Sequence, residues 1–143
     1  MLRVSGRLVD EPWVREVLIV DDDPDVRGLL AFTLSDHGFV VREAKDGVDA
    51  LDELAAHPPD CMILDLMMPR LDGYSVLERR RADGLAPGMP VLVFSCKAEE
   101  RSLVRAWELG ADDYVTKPAD PDAVAQKVVA LLEAGNPPGR PGV

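Results

Sequence analysis

In four short segments of the chain, an apolar run is followed by polar residues that together can carry out phosphoryl transfer. These residues are Asp21 with Asp22, Asp65, Ser95 and Lys117. A carboxylate can attack phosphorus to form a mixed anhydride. A hydroxyl and an ammonium group can then hold the phosphoryl oxygens. The set indicates phosphorylation of a carboxylate, and Asp65 is the best candidate because it stands alone after its run.

The three carboxylates would need a cation if the fold brings them together. Each close pair repels by a few kcal/mol at an effective dielectric constant of about 20. Mg²⁺ prefers oxygen ligands and usually binds only one or two protein carboxylates together with phosphate oxygens. We therefore predict that Asp22 and Asp65 bind Mg²⁺ directly and that Asp21 helps through water. The backbone carbonyl of Met67 offers a further ligand.

Each of these residues alone has a plainer interpretation. An aspartate that follows a strand is often only the cap of the next helix, and this is the interpretation that we adopt for Asp23. A single serine or lysine after a strand is weak evidence of a site. The functional hypothesis rests on the joint placement of all the residues at four strand ends.

The apolar runs before these residues predict buried strands. The runs cover residues 17–20, 61–64, 91–94 and 114–116, the last of them within a strand predicted at 113–116, and a further strand is predicted at 39–42. Apolar runs separated by helical patterns indicate a parallel sheet covered on both faces. Ligands bind such sheets beyond the carboxyl ends of the strands. The sequence therefore predicts an α/β fold with a doubly wound sheet.

Five helices are expected between and after these strands. The first begins at Pro24 and ends before Gly38, and the others cover residues 47–56, a segment that contains Val76 and Leu77, residues 99–109, and a segment from Pro121 onward. Helical spacing predicts which side chains face inward. In the first two helices these are Val26, Leu29, Leu30, Thr33, Leu34, Val48, Leu51 and Leu54.

Composition and charge narrow the classes of function. The chain has 143 residues, 47% hydrophobic, which suits one packed domain. Its 26 acidic and 16 basic residues give a net charge of −10, so we expect no direct nucleic-acid ligand and no membrane partner. Residues 1–16 lack the apolar centre of a signal peptide, which predicts a cytoplasmic protein. Cys61 and Cys96 are expected at opposite ends of the sheet, beyond disulfide reach, and so remain thiols.

The chain divides into three parts on this interpretation. We expect an N-terminal extension at residues 1–15, one domain at 16–134 and a flexible Pro/Gly-rich tail at 135–143. No role is assigned to the extension.

Four segments resemble the receiver domain of two-component response regulators, the CheY-like family. They are VLIVDDDPDVR at 17–27, MILDLMMPRLDG at 62–73, residues 91–95 and GADDYVTKP at 110–118. The resemblance implies a flavodoxin-like fold with five parallel strands in the order 2-1-3-4-5 and five helices. It also implies that Asp65 accepts a phosphoryl group from a sensor histidine kinase or a histidine phosphotransfer protein.

The resemblance carries further roles onto matching residues. It implies that Asp21 and Asp22 bind Mg²⁺, that Ser95 is the switch hydroxyl, that Lys117 contacts the phosphoryl group and that Tyr114 is the switch aromatic. The family usually shows its output on the surface of helix four, strand five and helix five, so Leu103, Trp107 and Tyr114 are a candidate docking patch for a downstream protein. The alternative is that Trp107 is simply a core residue. A homodimer is possible through helices one and five or through helix four.

The leading hypothesis is a stand-alone receiver that signals by protein contact and is not an enzyme in the ordinary sense. One alternative is a receiver that acts as a scaffold without phosphorylation. The other is a Mg²⁺-dependent phosphatase of the haloacid dehalogenase type, which also forms an aspartyl phosphate. Residues 21–23 contain that family's Asp-x-Asp spacing, but its nucleophile follows strand one and it needs a substrate cap.

Overall fold

A parallel sheet lies between two layers of helices. The structure is a computed structural model that describes residues 3–4, 7–8 and 14–135. Within residues 14–135 the sheet strands are β1 (Glu16–Val20), β2 (Val40–Ala44), β3 (Cys61–Leu64), β4 (Val91–Ser95) and β5 (Asp113–Thr116), in the order β2-β1-β3-β4-β5. This order and the parallel pairing confirm the predicted flavodoxin-like sheet.

A helix follows each sheet strand. The helices are α1 (Pro24–Asp36), α2 (Gly47–Ala56), α3 (Gly73–Ala82), α4 (Glu100–Glu108) and α5 (Pro121–Gly135). Aspartates at the starts of the helices accept hydrogen bonds from backbone N–H groups of the first turn, which have no partner within the helix. Asp23, Asp46 and Asp72 do this for α1, α2 and α3, and Asp120 accepts from the Asp122 amide before α5. The cap predicted at Asp23 is therefore confirmed.

The sheet separates two hydrophobic clusters. Alternate strand residues point to opposite faces, and both faces are covered, so the strands read as continuous apolar runs. One cluster packs α2, α3 and α4 against the sheet, and the other packs α1 and α5 against it. Leu18 and Leu64 belong to the first, and Ile19 and Ile63 to the second.

Two predicted core positions are wrong. Leu29 on α1 is 54% exposed and Val48 on α2 is 44% exposed. The inward stripe of α1 is narrower than predicted and centres on the buried Leu30 and Leu34. In α2 the buried positions are Ala50 and Leu54 together with Gly47. In α2, the small residues Gly47 and Ala50 take inward positions that a hydrophobicity pattern assigns to larger side chains.

The remaining differences lie at the ends of the chain and of β2. The predicted strand at 39–42 is shifted and becomes Val40–Ala44. Arg3–Val4 and Arg7–Leu8 form a short antiparallel pair that the sequence did not predict. Trp13 and the tail from 136 onward lie outside the described residues. No helix among residues 14–135 is both long and apolar enough to cross a membrane.

Candidate functional site

The carboxyl ends of four neighbouring strands bring the predicted residues to one edge of the sheet. Asp21 and Asp22 follow β1, Asp65 follows β3, Ser95 ends β4, and Lys117 follows β5. The order of the strands makes β1, β3, β4 and β5 consecutive neighbours. Residues that are up to 96 positions apart in the chain therefore meet because parallel strands share one carboxyl edge.

Three carboxylates at this edge form a candidate metal centre. One oxygen each from Asp21, Asp22 and Asp65 lies within 4.8 Å of the other two. Asp21 and Asp65 are buried, with 2% and 5% of their surface exposed, whereas Asp22 is exposed. Burial raises the pKa of the Asp21 carboxyl above its ordinary value, although the hydrogen bond from Lys117 opposes this shift. Hard oxygen donors at this separation fit Mg²⁺.

Lys117 connects two of these carboxylates. Its Nζ donates to Asp21 Oδ2 at 2.7 Å and to Asp65 Oδ2 at 3.2 Å. Burial would lower the pKa of Lys117, but the hydrogen bond to Asp21 and the charges of Asp65 and Asp21 outweigh it and raise that pKa. Three carboxylates and one ammonium leave a formal charge of −2, which is the charge that a bound Mg²⁺ would balance. The peptide bond between Lys117 and Pro118 is cis.

The loop after β3 holds Asp65 from the other side. The Met67 amide donates to Asp65 Oδ1 at 3.1 Å, so both carboxylate oxygens of Asp65 accept hydrogen bonds. At the far end of the loop, the Gly73 amide donates to the Leu66 carbonyl at 3.1 Å. A Cβ at Gly73 would lie 2.4 Å from the Asp65 carbonyl oxygen. Glycine is therefore required where α3 begins against the acceptor residue.

Ser95 is buried beside this cluster, its carbonyl accepts from the Lys117 amide at 2.9 Å, and its hydroxyl makes no hydrogen bond of normal geometry with the described residues. Its surface is 0% exposed, and Oγ is without a partner among the described residues. Buried hydroxyls are normally paired, and an unpaired one in a native fold calls for an explanation. The Tyr114 hydroxyl donates to the Lys97 carbonyl, two residues beyond Ser95. Burial raises the pKa of Tyr114 to about 12.

Sequence reasoning missed several contacts that shape the site. Arg27 Nη1 donates to the Asp21 carbonyl at 2.8 Å, and Arg27 Nε pairs with Glu43 at 3.1 Å. The Asp23 amide donates to Asp21 Oδ1 at 2.9 Å. Nothing in the spacing of Arg27 signals this contact, because it depends on how α1 lies beside β2. The presence of a glycine at position 73 is the one feature of the sequence that could have indicated how closely the start of α3 approaches Asp65.

The candidate docking patch is formed by residues of α4 and β5. Trp107 on α4 is 48% exposed, whereas Leu103 and Tyr114 are half-buried. The indole of Trp107 is therefore not part of the core, and the alternative that Trp107 is a core residue is wrong. The role of these three residues in binding a partner stays a prediction.

The comparisons with known proteins agree with this geometry. A family model described as a response regulator receiver domain matches residues 17–129. Response regulator MprA from Mycobacterium avium (strain 104) is 40% identical over 121 residues, which make up 85% of this chain and 52% of MprA. The alkaline phosphatase synthesis transcriptional regulatory protein PhoP from Bacillus subtilis (strain 168) is 40% identical over 118 residues, or 82% of this chain and 48% of PhoP.

A solved structure extends the likeness to the fold. The chemotaxis protein CheY4 from Vibrio cholerae superposes with a TM-score of 0.78 at 25% identity, covering 82% of this chain and 98% of that chain. The chain spans about half the length of the curated relatives that it matches.

Proposed function

The chain belongs to the response regulator receiver family of two-component systems, and from this premise we propose that it accepts a phosphoryl group on Asp65 in a Mg²⁺-dependent reaction. The donor is the phosphohistidine of a sensor kinase or of a histidine phosphotransfer protein. One observation carries the proposal: a buried Asp65 lies within 3.2 Å of Lys117 and within metal-sharing distance of Asp21 and Asp22.

The chemistry follows from the surroundings of Asp65. A carboxylate oxygen attacks phosphorus, the bond from phosphorus to the donor nitrogen breaks, and its electron pair stays on the released imidazole. The product on Asp65 is a mixed anhydride. Lys117 can hold a phosphoryl oxygen by turning its ammonium group from the carboxylates toward the new charge.

Asp21, Asp22, Asp65 and the Met67 carbonyl are the groups that would hold Mg²⁺. When bound, the metal neutralises negative charge on the transferred group. The donor set is all oxygen, and its residual charge of −2 matches a divalent cation. The part of this chain is to present these oxygens already gathered, with Lys117 limiting their mutual repulsion.

The unpaired Ser95 hydroxyl supports a role for Ser95 as the switch. A phosphoryl group on Asp65 adds acceptor oxygens and charge, and the free Ser95 Oγ is available to donate to one of them. Its movement would change the space beside Tyr114. We propose that the change reaches the patch of Leu103, Trp107 and Tyr114, where a downstream protein binds.

The other functional expectations remain proposals. A stand-alone receiver is one arrangement, and MprA and PhoP are about twice as long as the region matched here. A phosphorylation-independent scaffold would bind its partner equally well after Asp65→Ala. The haloacid dehalogenase alternative is disfavoured because the candidate nucleophile Asp65 follows β3, whereas that type places it after the first strand.

Intact mass after incubation with Mg²⁺ and acetyl phosphate tests the proposal. We expect one added phosphoryl group on the wild type and none on Asp65→Ala. The control is Asp25→Ala, which removes an exposed carboxylate from the first turn of α1 and should still be phosphorylated. An addition that persists in Asp65→Ala, or none on the wild type with either acetyl phosphate or candidate kinases, would overturn it.

The same incubation, applied to a single-tryptophan variant, tests the link to the patch. In a Trp13→Phe background, Trp107 is the remaining tryptophan. Its fluorescence should change when the phosphoryl group is added and should recover when the group is lost. Unchanged emission in a fully phosphorylated sample would disconnect Trp107 from the switch.

A further inference from the structure

We propose that Arg70 and Asp46 form a latch that fixes the loop at 66–72, and that the latch positions the Met67 carbonyl for Mg²⁺. The latch joins the loop after β3 to the start of α2, two segments that are far apart in the chain. This inference rests on the proposed function, because it assigns a role to residues that support the same metal centre. Neither residue lies among the carboxylates that would hold the metal.

Asp46 is the fixed half of the latch. It is 4% exposed and caps α2, with Oδ1 accepting from the Asp49 amide at 2.9 Å. Its other oxygen, Oδ2, accepts from Arg70 Nη2. The hydrogen bond from Asp49 and the pairing with Arg70 lower the pKa of Asp46 against the effect of burial. A buried carboxylate left without its cationic partner would be costly.

Arg70 has a backbone conformation that the latch explains. Its φ is +68°, a region that side chains with a Cβ rarely adopt and that glycine adopts freely. An arginine at such a position loses stability relative to glycine unless its side chain compensates. Its guanidinium does so by reaching Asp46. The backbone strain and the ion pair together indicate that the side chain itself is needed here.

The loop also lies directly against the start of α2. A Cβ at Gly47 would be 2.5 Å from the Leu71 carbonyl oxygen and 2.9 Å from Leu71 Cβ. The Leu71 amide donates to the Pro69 carbonyl at 2.8 Å, which closes a tight turn with Arg70 at its centre. The loop thus packs in a defined position against the start of α2, and the latch holds it there.

Met67 lies between the latch and the acceptor residue. Its amide is held by Asp65 Oδ1 at 3.1 Å, and Arg70 anchors the chain three residues later. The side chain of Met67 is 53% exposed and does not fix the backbone. A ligand held ready in its bound position binds a metal more tightly than one that must be ordered at the moment of binding. Releasing the latch should therefore weaken Mg²⁺ binding without removing a ligand.

The experiment measures the dissociation constant of Mg²⁺ by calorimetry, with no phosphoryl donor present. We expect Arg70→Ala and Arg70→Gly to raise this constant at least about threefold, and Arg70→Lys to retain most of the wild-type affinity because it keeps a charged donor. The matched control is Arg79→Ala, which removes an exposed arginine from α3 with the same change in net charge. It should leave the affinity unchanged.

Two variants separate the latch from ordinary stabilisation. Arg70→Gly relieves the positive φ, so wild-type affinity in this variant would show that only the backbone shape matters and would overturn the latch. Asp46→Asn keeps a good helix cap but removes the charge. It should weaken Mg²⁺ binding as Arg70→Ala does, and the double variant should be no weaker than either single variant.

The result is independent of phosphorylation. If the wild type binds Mg²⁺ and is phosphorylated while the Arg70 variants bind with unchanged affinity, the latch is wrong and the proposed function stands. If the variants bind more weakly but Asp65 is never phosphorylated, the latch holds and the proposed function fails. A wild type that does not bind Mg²⁺ overturns the latch.

Discussion

At the scale of single residues, the site combines groups that are paired with one that is not. Asp21 and Asp65 are buried but share Lys117, which offsets much of their desolvation. Ser95 is equally buried and its hydroxyl is unpaired among the described residues. An unpaired buried hydroxyl weakens a fold. Its presence beside the acceptor is therefore better explained by the phosphorylated state than by the stability of the free one.

Ser95→Ala should separate these two effects. Removing an unpaired hydroxyl should leave the free energy of unfolding unchanged or raise it by up to about 1 kcal/mol, while the fluorescence response of Trp107 to phosphorylation is lost. The control is Ser102→Ala, because Ser102 is also buried but its hydroxyl donates to Glu99 Oε2 at 3.1 Å. Denaturant unfolding should show a loss of about 1 kcal/mol for the control. A larger loss for Ser95→Ala would argue that Ser95 is a structural residue.

The identities of the site residues were predictable, but their partners were not. Asp21, Asp65, Ser95 and Lys117 could be located because each follows an apolar run, and strand ends of a parallel sheet share one edge. That Lys117 lies closer to Asp21 than to Asp65 depends on side-chain rotamers and on how the strands that separate β1 from β5 pack in the sheet. No spacing in the sequence encodes such a distance.

At the scale of elements, the strand ends present the site and the turns after them fix its shape. The bounds of α2, β3 and β5 match the predicted ones because apolar runs, Asp caps and Pro or Gly breaks coincide there. The inward faces were less predictable, since Leu29 and Val48 fit a helical stripe but are exposed. Hydrophobic spacing gives the period of a helix, whereas its rotation against the sheet depends on which positions are small enough to approach closely.

Gly73→Ala tests the tightest of these approaches. The added Cβ would lie 2.4 Å from the Asp65 carbonyl oxygen and 2.8 Å from Leu66 Cα, both backbone atoms that cannot turn aside. We expect a loss of about 1–3 kcal/mol in the free energy of unfolding, as for other overpacked positions. Phosphorylation of Asp65 by acetyl phosphate should also slow markedly, because the strain is relieved by moving the acceptor.

Gly28→Ala is the matched control for this change. Gly28 lies within α1, and a Cβ there would meet nothing within 4 Å. Alanine should stabilise the helix by about 0.5–1 kcal/mol and leave the rate of phosphorylation unchanged. Equal stabilities for Gly73→Ala and the wild type would mean that the loop after Asp65 adapts and does not fix the site.

At the scale of the whole molecule, hydrophobic packing stabilises the sheet, while charge repulsion opposes it at one edge. Two hydrophobic clusters, one on each face, hold the strands in register. The same register gathers three carboxylates in a chain whose net charge is already −10. The fold class was predictable because every strand and helix pattern agrees with it. The electrostatic cost of the acidic cluster was not predictable, since it depends on distances between carboxylates that are set only in the folded chain.

Asp22→Asn should reveal this cost and what offsets it. Asp22 is the exposed member of the cluster, and its side chain makes no hydrogen bond or ion pair with the described residues. With Mg²⁺ removed by a chelator, the variant should melt at a higher temperature than the wild type because one repulsive charge is gone. With millimolar Mg²⁺ the order should reverse, since a ligand that binds the folded state stabilises it more the more tightly it binds.

The comparison needs KCl at matched ionic strength, because screening alone should stabilise so acidic a chain. Asp36→Asn, which removes an exposed charge at the far end of α1, should keep the full response to Mg²⁺. If Asp22→Asn and Asp36→Asn responded alike, Mg²⁺ would be acting on the net charge and not at the cluster. A crossing of the wild-type and Asp22→Asn melting temperatures, absent for Asp36→Asn, would locate the metal at the edge where the four strands end.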